Sequence, residues 1–144
     1  MSKFRFDQSY GRALGQAHTS IFKRLSKLMK EENLPITPDQ FRVLTILWDN
    51  DGCSQQELAH GSNRDRANVT RILDILEREG IVKRINHETD RRMFRIYLTE
   101  LGKSLEEKAA KCAQQSIKDA LQGISKSDIE ICMSVLRKSI VNLK

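Results

Sequence analysis

The stretch SQQELAHGSNRDRANVTRILDILEREG, residues 54–80, decides the fold that we predict for this chain. It opens with Ser54 and Glu57 at the spacing of a capping box, in which the two side chains satisfy backbone N–H groups at a helix start. The box predicts a short helix over residues 55–60. Gly61 follows, where a glycine commonly ends a helix.

Beyond a tight turn over residues 61–64, a second helix is predicted over 65–79, with Gly80 ending it. Its apolar residues recur at the three- and four-residue spacing of one helix face. That face comprises Val69, Ile72, Leu73 and Leu76. Two helices joined by such a short turn are typical of a helix-turn-helix.

The outward face of the second helix has the chemistry of a surface that reads DNA. It carries Arg64, Ala67, Asn68, Arg71 and Asp74. In the major groove an arginine pairs with guanine and an asparagine with adenine. Arg66 and Thr70 flank this face and suit contacts with phosphate. An ordinary amphipathic helix with a solvated polar face is the alternative interpretation.

A charged hairpin is predicted directly after the helix-turn-helix. Residues 81–85 and 94–98 have the composition and alternation of strands, and Asp90, Arg91 and Arg92 lie between them. A hairpin in this position is a wing whose tip reaches a minor groove, where arginines gain from the negative potential. We expect Arg91 or Arg92 to contact DNA, and Asp90 to fix the tip by binding a guanidinium. Alternatively, Asp90 and Arg92 only staple the turn.

Further helices flank this block. Thr37 and Gln40 form a second capping box, with Pro38 at the first helical position, and open a largely apolar helix. Long amphipathic helices are predicted over residues 7–32 and from Thr99 to about residue 121. The stripe of a last helix comprises Ile129, Cys132, Met133, Leu136, Ile140 and Leu143.

These terminal stripes are too long to be covered within one small monomer, so we expect them to pack across a two-fold axis. The chain then divides into a dimerisation helix at residues 1–36, a winged helix-turn-helix lobe at 37–98 and dimerisation helices at 99–144. The predicted fold class is mainly α with a small β-hairpin wing.

Composition is consistent with one basic folded unit. The chain has 144 residues, a net charge of +6 and 39% hydrophobic residues. A basic balance indicates either a polyanion partner or a solvated Lys/Arg surface. The N-terminal segment lacks the apolar core of a secretion signal, and no apolar run is long enough to span a membrane. We therefore predict a cytoplasmic protein with reduced thiols.

Four motifs and their order resemble the MarR family of bacterial winged helix-turn-helix transcriptional regulators. They are TPDQFRVLTIL, SQQELA, NVTRILDILEREGIVKR and DRRMFRIYLTELG. The resemblance is close over about residues 36–103, and the flanking helices match in pattern.

The resemblance implies a homodimer that binds a pseudo-palindromic operator, usually as a repressor, and that often releases DNA when a small ligand or an oxidant is sensed. It places base contacts on Ala67, Asn68 and Arg71. It also places a minor-groove arginine at Arg92, with Asp90 orienting it.

The sequence does not identify which residues would sense an oxidant or a ligand. Some MarR regulators sense oxidants with a cysteine in the first helix, whereas no cysteine here precedes Cys53. Cys53 lies before a helix N-terminus, a position that can favour a thiolate, and the sequence leaves open whether this cysteine is redox-active. We expect Cys112 and Cys132 on apolar stripes to be core residues. The three histidines, His18, His60 and His87, lack the spacing of zinc ligands, and no cofactor is predicted.

A ligand crevice between the dimer helices and the lobe is the remaining sensor candidate. Residues that could line it are Tyr10, His18, Phe22, Phe41 and Trp48, although a plain core role is the alternative. An enzyme is a poor fit, because no nucleophile-base set, paired carboxylates or phosphate loop stands out. The alternative function is a winged helix that binds protein rather than specific DNA.

Overall fold

The computed structural model describes residues 3, 5–86, 89 and 93–144 of the chain. A 3₁₀ turn, Phe6–Gln8, precedes α1. The helices are α1 (Tyr10–Glu31), α2 (Pro38–Asp49), α3 (Gln55–Gly61), α4 (Arg66–Arg78), α5 (Glu100–Ser104), α6 (Glu106–Ala120) and α7 (Lys126–Asn142). The strands are β1 (Cys53–Ser54), β2 (Val82–Asn86) and β3 (Phe94–Leu98). The predicted fold, mainly helical with a small β wing, is confirmed.

Both predicted capping boxes form. Thr37 Oγ1 accepts from the backbone N–H of Gln40 at 3.2 Å, and Gln40 Oε1 accepts from that of Thr37 at 2.9 Å. The Ser54 and Glu57 pair repeats this arrangement at the start of α3, with both distances at 3.1 Å. These reciprocal bonds depend on residues only three positions apart, so a short sequence window contains all of the information.

The sheet has three antiparallel strands in the order β1-β3-β2. Val82 lies opposite Leu98, which sets the register of the predicted hairpin. The sequence prediction missed β1, in which Cys53 pairs with Ile96. Two residues are too few to show an alternating pattern, and the pair joins positions far apart in the sequence.

One apolar core joins α2, α3, α4 and the sheet with the inner faces of α1 and α6, which contribute Leu25, Met29, Ala109 and Cys112. Its fully buried members include Val43, Leu44, Leu47, Leu58, Val69, Leu73, Leu76, Ile81 and Ile96. The stripe predicted for α4 faces this core, and Ile72 packs at its margin. Because α4 is held on its inner side, its polar face is turned away from the core.

The turn between α3 and α4 differs from the prediction. Gly61 is the last residue of α3, and Asn63 instead takes the left-handed conformation, with φ of 54°. A Cβ on Gly61 would lie 2.9 Å from Ile46 Cδ1. The glycine therefore permits close packing of α3 against α2, and an asparagine, which tolerates positive φ, makes the turn.

The single helix predicted from Thr99 to about residue 121 is two helices, α5 and α6, which meet at Leu105. The predicted start at Thr99 is confirmed, because Thr99 Oγ1 accepts from the backbone N–H of Gly102 and caps α5. A Cβ on Gly102 would lie 2.2 Å from the carbonyl oxygen of Ile81, and Trp48 Nε1 donates to the Gly102 carbonyl at 3.0 Å. These contacts hold α5 against the lobe, whereas α6 packs along α1.

The last helix differs from all the others. None of the residues of α7, all of which are described, is buried within the chain. Its attachment includes a hydrogen bond of 2.9 Å between the hydroxyls of Tyr10 and Ser139. Among the residues that the structure describes, no helix is both long and apolar enough to cross a membrane.

Candidate nucleic-acid interface

The candidate recognition surface lies on the first half of α4. Asp65 caps the helix, and its Oδ1 accepts from the backbone N–H of Asn68 at 2.8 Å. Arg66, Ala67 and Arg71 are exposed, whereas Asn68 is half-buried. The predicted helix thus presents two arginines and one small residue to solvent near its positive N-terminal end, a combination that suits a polyanion.

Hydrogen bonds along the helix connect three polar side chains of this surface. Asn68 Nδ2 donates to Asp65 Oδ2 at 3.1 Å. One terminal nitrogen of Arg71 in turn donates to Asn68 Oδ1. The three residues are spaced three apart, so they lie on one side of the helix and can form a continuous ladder.

Thr70, on the other edge of the surface, is held by side-chain hydrogen bonds. Its hydroxyl donates to the Arg66 carbonyl at 2.8 Å and lies within hydrogen-bond reach of Gln55 Nε2. Gln55 was not among the predicted site residues. It is the first residue of α3, and in the structure it lies beside Thr70 of α4. A cleft of about 350 Å³ opens here, lined by Ser54, Gln55, Gln56, Arg66, Met93 and Phe94.

Arg64 occupies a different position from the one predicted. It lies before α4, and its guanidinium forms an ion pair with Asp39 of α2. Its side chain is only 30% exposed, and its buried Nε has no hydrogen-bond partner among the described residues. Arg64 therefore braces the turn against α2, and contact with a phosphate would require it to leave Asp39.

The second half of α4 is joined to the wing through Arg84 of β2. The guanidinium lies 2.8 Å from Asp74 Oδ1 and 3.2 Å from Glu77 Oε1, and it also donates to the Thr70 carbonyl at 3.4 Å. Its side chain is 16% exposed. Arg84 thus offsets two carboxylates that would repel DNA and fixes β2 against α4. Residue spacing in the sequence does not predict this role, because β2 and α4 meet only in the folded chain.

The predicted tip residues Asp90, Arg91 and Arg92 lie outside the described residues. Their roles in DNA contact stay predictions. The strands on either side of them are in place, because β2 and β3 pair from Val82 and Leu98 through Asn86 and Phe94.

The five residues predicted to line a ligand crevice fall into separate groups. His18 and Phe22 stack with ring centroids 4.2 Å apart, and Arg42 lies 5.2 Å above the Phe22 ring. Phe41 and Trp48 pack together at 5.9 Å against the lobe core. Tyr10 instead contacts Ser139 of α7. The structure therefore does not gather all five around one cavity within the chain.

The cysteines correct two predictions. Burial raises the pKa of the Cys53 thiol, and the nearby Glu57 and Asp51 carboxylates raise it further. The thiol donates to the Asn50 carbonyl at 2.8 Å, so the environment favours the neutral thiol instead of the expected thiolate. Cys112 is buried as predicted, but Cys132 is exposed on α7 and is not a core residue of the chain.

Comparison with known proteins agrees with this architecture. Residues 36–94 match the MarR family. The uncharacterized HTH-type transcriptional regulator YdgJ of Bacillus subtilis is 31% identical over 108 residues, which are 75% of this chain and 66% of that protein. The homoprotocatechuate degradative operon repressor of Escherichia coli is 31% identical over 112 residues, covering 78% of this chain and 72% of the repressor.

A solved structure extends the similarity to nearly the whole chain. The transcriptional repressor CouR, bound to a 23-mer DNA duplex, superposes with a TM-score of 0.78 and 26% identity, covering 97% of this chain and 99% of CouR. The match includes the terminal helices as well as the lobe. With its capped helix-turn-helix, its wing strands and relatives of this similarity, the chain belongs to the MarR family of DNA-binding transcriptional regulators.

Proposed function

We propose that the protein is a homodimeric repressor that binds a pseudo-palindromic operator through the first half of α4. The observation that carries this proposal is the surface of α4, where Arg66, Ala67 and Arg71 are exposed in the first two turns of the helix. Ala67 allows close approach to bases, and Arg71 supplies a bidentate partner for guanine. Arg66 and Thr70 contact phosphate on either side.

The dimer brings two such surfaces to one face of the DNA. Within residues 1–36 and 99–144, the helices other than α5, which packs against the lobe of its own chain, form the two-fold interface, and residues 37–98 form the lobe that enters the groove. The two half-sites are then about one helical turn apart, roughly 10 base pairs between centres. The protein acts in the cytoplasm as a regulator and not as an enzyme, in keeping with the named functions of its relatives.

Repression is supported by the E. coli relative, which is named as an operon repressor, and by CouR, a named repressor seen on DNA. Control by a small molecule acts through the space between the dimer helices and the lobe. On this proposal His18 and Phe22 line the space from α1, Phe41 and Trp48 line it from the lobe, and Tyr10 contributes from a different part of α1. The polar, basic surface of α4 favours DNA over the protein-binding alternative, since protein interfaces have a less charged centre.

A matched pair of arginine variants tests the assignment of α4. Arg71→Ala is expected to cost about 1–3 kcal/mol of binding free energy on the preferred duplex and to relax selection at one base pair per half-site. Arg78→Ala removes the same charge from the last turn of α4 and is expected to leave base selection unchanged. Affinities for a panel of single-base operator variants measure both effects. Equal effects of the two variants would contradict the proposed surface.

The wing is tested separately, because a minor-groove contact carries little base identity. Arg92→Ala is expected to weaken binding to most sequences and to reduce the salt slope by about one unit for each lost phosphate contact. Asp90→Ala is expected to act in the same direction more weakly. Unchanged affinity of Arg92→Ala, measured at two salt concentrations, would leave the tip as a staple of the turn.

A further inference from the structure

The hydrogen-bond ladder on α4 constrains what Asn68 can do. Its amide is engaged at both ends, since Nδ2 donates to Asp65 Oδ2 and Oδ1 accepts from Arg71. An asparagine that pairs with adenine must turn both atoms to the base edge. Here they are directed along the helix, one towards the preceding turn and one towards the following turn. Direct reading of adenine by Asn68 would therefore disrupt two hydrogen bonds.

Burial separates Asn68 from its two partners. Asp65 and Arg71 are exposed, whereas Asn68 between them is half-buried. Asp65 holds Asn68 with both carboxylate oxygens, because Oδ1 accepts from its backbone and Oδ2 from its side chain. Asn68 is thus the inner, fixed member of the ladder, and Arg71 is the outer member.

Arg71 retains the donors that base reading needs. The bond to Asn68 uses one N–H of a terminal nitrogen, and a guanidinium has several others in a fixed plane. A guanidinium already held in one orientation loses less side-chain entropy when it docks. The anchor also acts through a neutral amide, so the Asp65 carboxylate does not directly neutralise the charge of Arg71.

We infer that Asn68 is a positioning residue for Arg71, so that the Asp65–Asn68–Arg71 ladder reads one base pair and not two. This inference rests on the proposed function of α4. It assigns Asp65 a second role besides capping, namely that of the fixed end of the ladder.

A double-mutant cycle tests the ladder on the duplex that the wild-type protein selects from a random library. Arg71→Ala is expected to reduce discrimination at one base pair per half-site by roughly 5- to 150-fold. Asn68→Ala is expected to reduce discrimination at that same base pair by roughly 2- to 12-fold, the effect of one hydrogen bond, and at no other position. Added to Arg71→Ala, it should cause no further loss of discrimination.

Asp65→Ser provides a variant that keeps the helix cap. Serine still accepts from the Asn68 backbone but has no second oxygen for Nδ2. Discrimination should fall at the Arg71 base pair alone, by less than in Asn68→Ala. The ratio of affinities for matched and single-base-changed duplexes corrects for the lost charge, and circular dichroism checks folding. If Asn68→Ala does not fold, Asp65→Ser decides the question alone.

Two results would overturn the inference while leaving DNA binding intact. One is loss of discrimination at a different base pair in Asn68→Ala, and the other is an undiminished effect of Asn68→Ala in the absence of Arg71. A wild-type protein that binds selected and scrambled duplexes equally would instead contradict the proposed function, and the ladder inference would fall with it.

Discussion

The lobe and the last helix, α7, differ in how far their apolar side chains are buried. In the lobe, Leu73 and Leu76 of α4 are fully buried. In α7, Ile140 and Val141 are 57% and 68% exposed. A monomeric protein rarely leaves large apolar patches in water. The difference teaches that a single chain buries the apolar residues of the lobe but leaves several of those of α7 exposed, and α7 is therefore the helix for which we propose a role in pairing.

Removal of α7 is expected to have the largest effect on dimerisation and on DNA affinity. Truncation after Gly123 eliminates α7 and is expected to convert the dimer to a monomer. Since the two half-sites are then bound independently, affinity for the full operator should fall by roughly 100- to 10,000-fold. Sedimentation measures the first effect and titration with duplex DNA the second. A truncated protein that remains a stable dimer would show that pairing does not depend on α7.

Paired core and surface substitutions sharpen the same contrast. Leu73→Ala is expected to lower the free energy of unfolding by about 2–5 kcal/mol, because it leaves a cavity in a closed core. Ile140→Ala alters a side chain that the chain itself leaves exposed, so its effect should fall on dimerisation, weakening it on the order of tenfold to a hundredfold. Chemical denaturation and sedimentation of both variants separate the two effects. If Leu73→Ala weakened dimerisation more than Ile140→Ala did, the division between lobe and interface would be wrong.

Features that depend on neighbouring residues could be predicted from the sequence. The capping pairs Thr37–Gln40 and Ser54–Glu57 and the inward stripe of α4 all arise within a few residues, and the structure has each of them. The four family motifs and their order then predicted the winged helix-turn-helix fold. The polar face of α4 followed from the same periodicity, because fixing one side of a helix defines the other.

Features that depend on tertiary placement could not be predicted. Arg84 meets Asp74 and Glu77 only because β2 returns alongside α4 in one register. The interruption between α5 and α6 at Leu105 is not visible in the local pattern, which supports a continuous helix. The engagement of Arg64 with Asp39 likewise joins residues 25 positions apart. Charge and spacing alone made Arg64 and Arg71 look equivalent.

Substitution of Arg84 tests whether its ion pairs with Asp74 and Glu77 stabilise the attachment of the wing to the lobe. Arg84→Ala is expected to reduce the free energy of unfolding by about 1–2 kcal/mol, a value discounted because the two partner carboxylates are about half exposed. DNA affinity should also fall, since Asp74 and Glu77 lose their partner. Lys83→Ala removes the same charge from an exposed neighbour and should change stability by less than about 0.5 kcal/mol. Equal effects in denaturation would show that the ion pairs contribute nothing specific.

Cysteine labelling compares the accessibility of the lobe, through Cys53, with that of α7, through Cys132, and leaves the sequence unchanged. Burial and the adjacent carboxylates raise the pKa of Cys53 above its ordinary value of 9.0, so its thiolate fraction near pH 8 is reduced. Burial likewise raises the pKa of Cys112. Since the thiolate is the reacting form, a thiol reagent should label both slowly, and Cys53 should gain reactivity only as the pH rises towards its shifted pKa. Cys132 is exposed on α7 and should react first in dilute protein.

Protein concentration then distinguishes a covered α7 from a free one. If α7 pairs with a second copy, labelling of Cys132 should slow as the concentration rises through the dimer range, whereas labelling of Cys53 should stay slow throughout. Cys132→Ser and Cys53→Ser identify which thiol gives each kinetic phase. A Cys132 rate that does not change with concentration would place this part of α7 outside the interface. A Cys53 rate as fast as that of Cys132 would mean that the lobe opens readily, because a thiol buried in a closed core reacts only when the core opens.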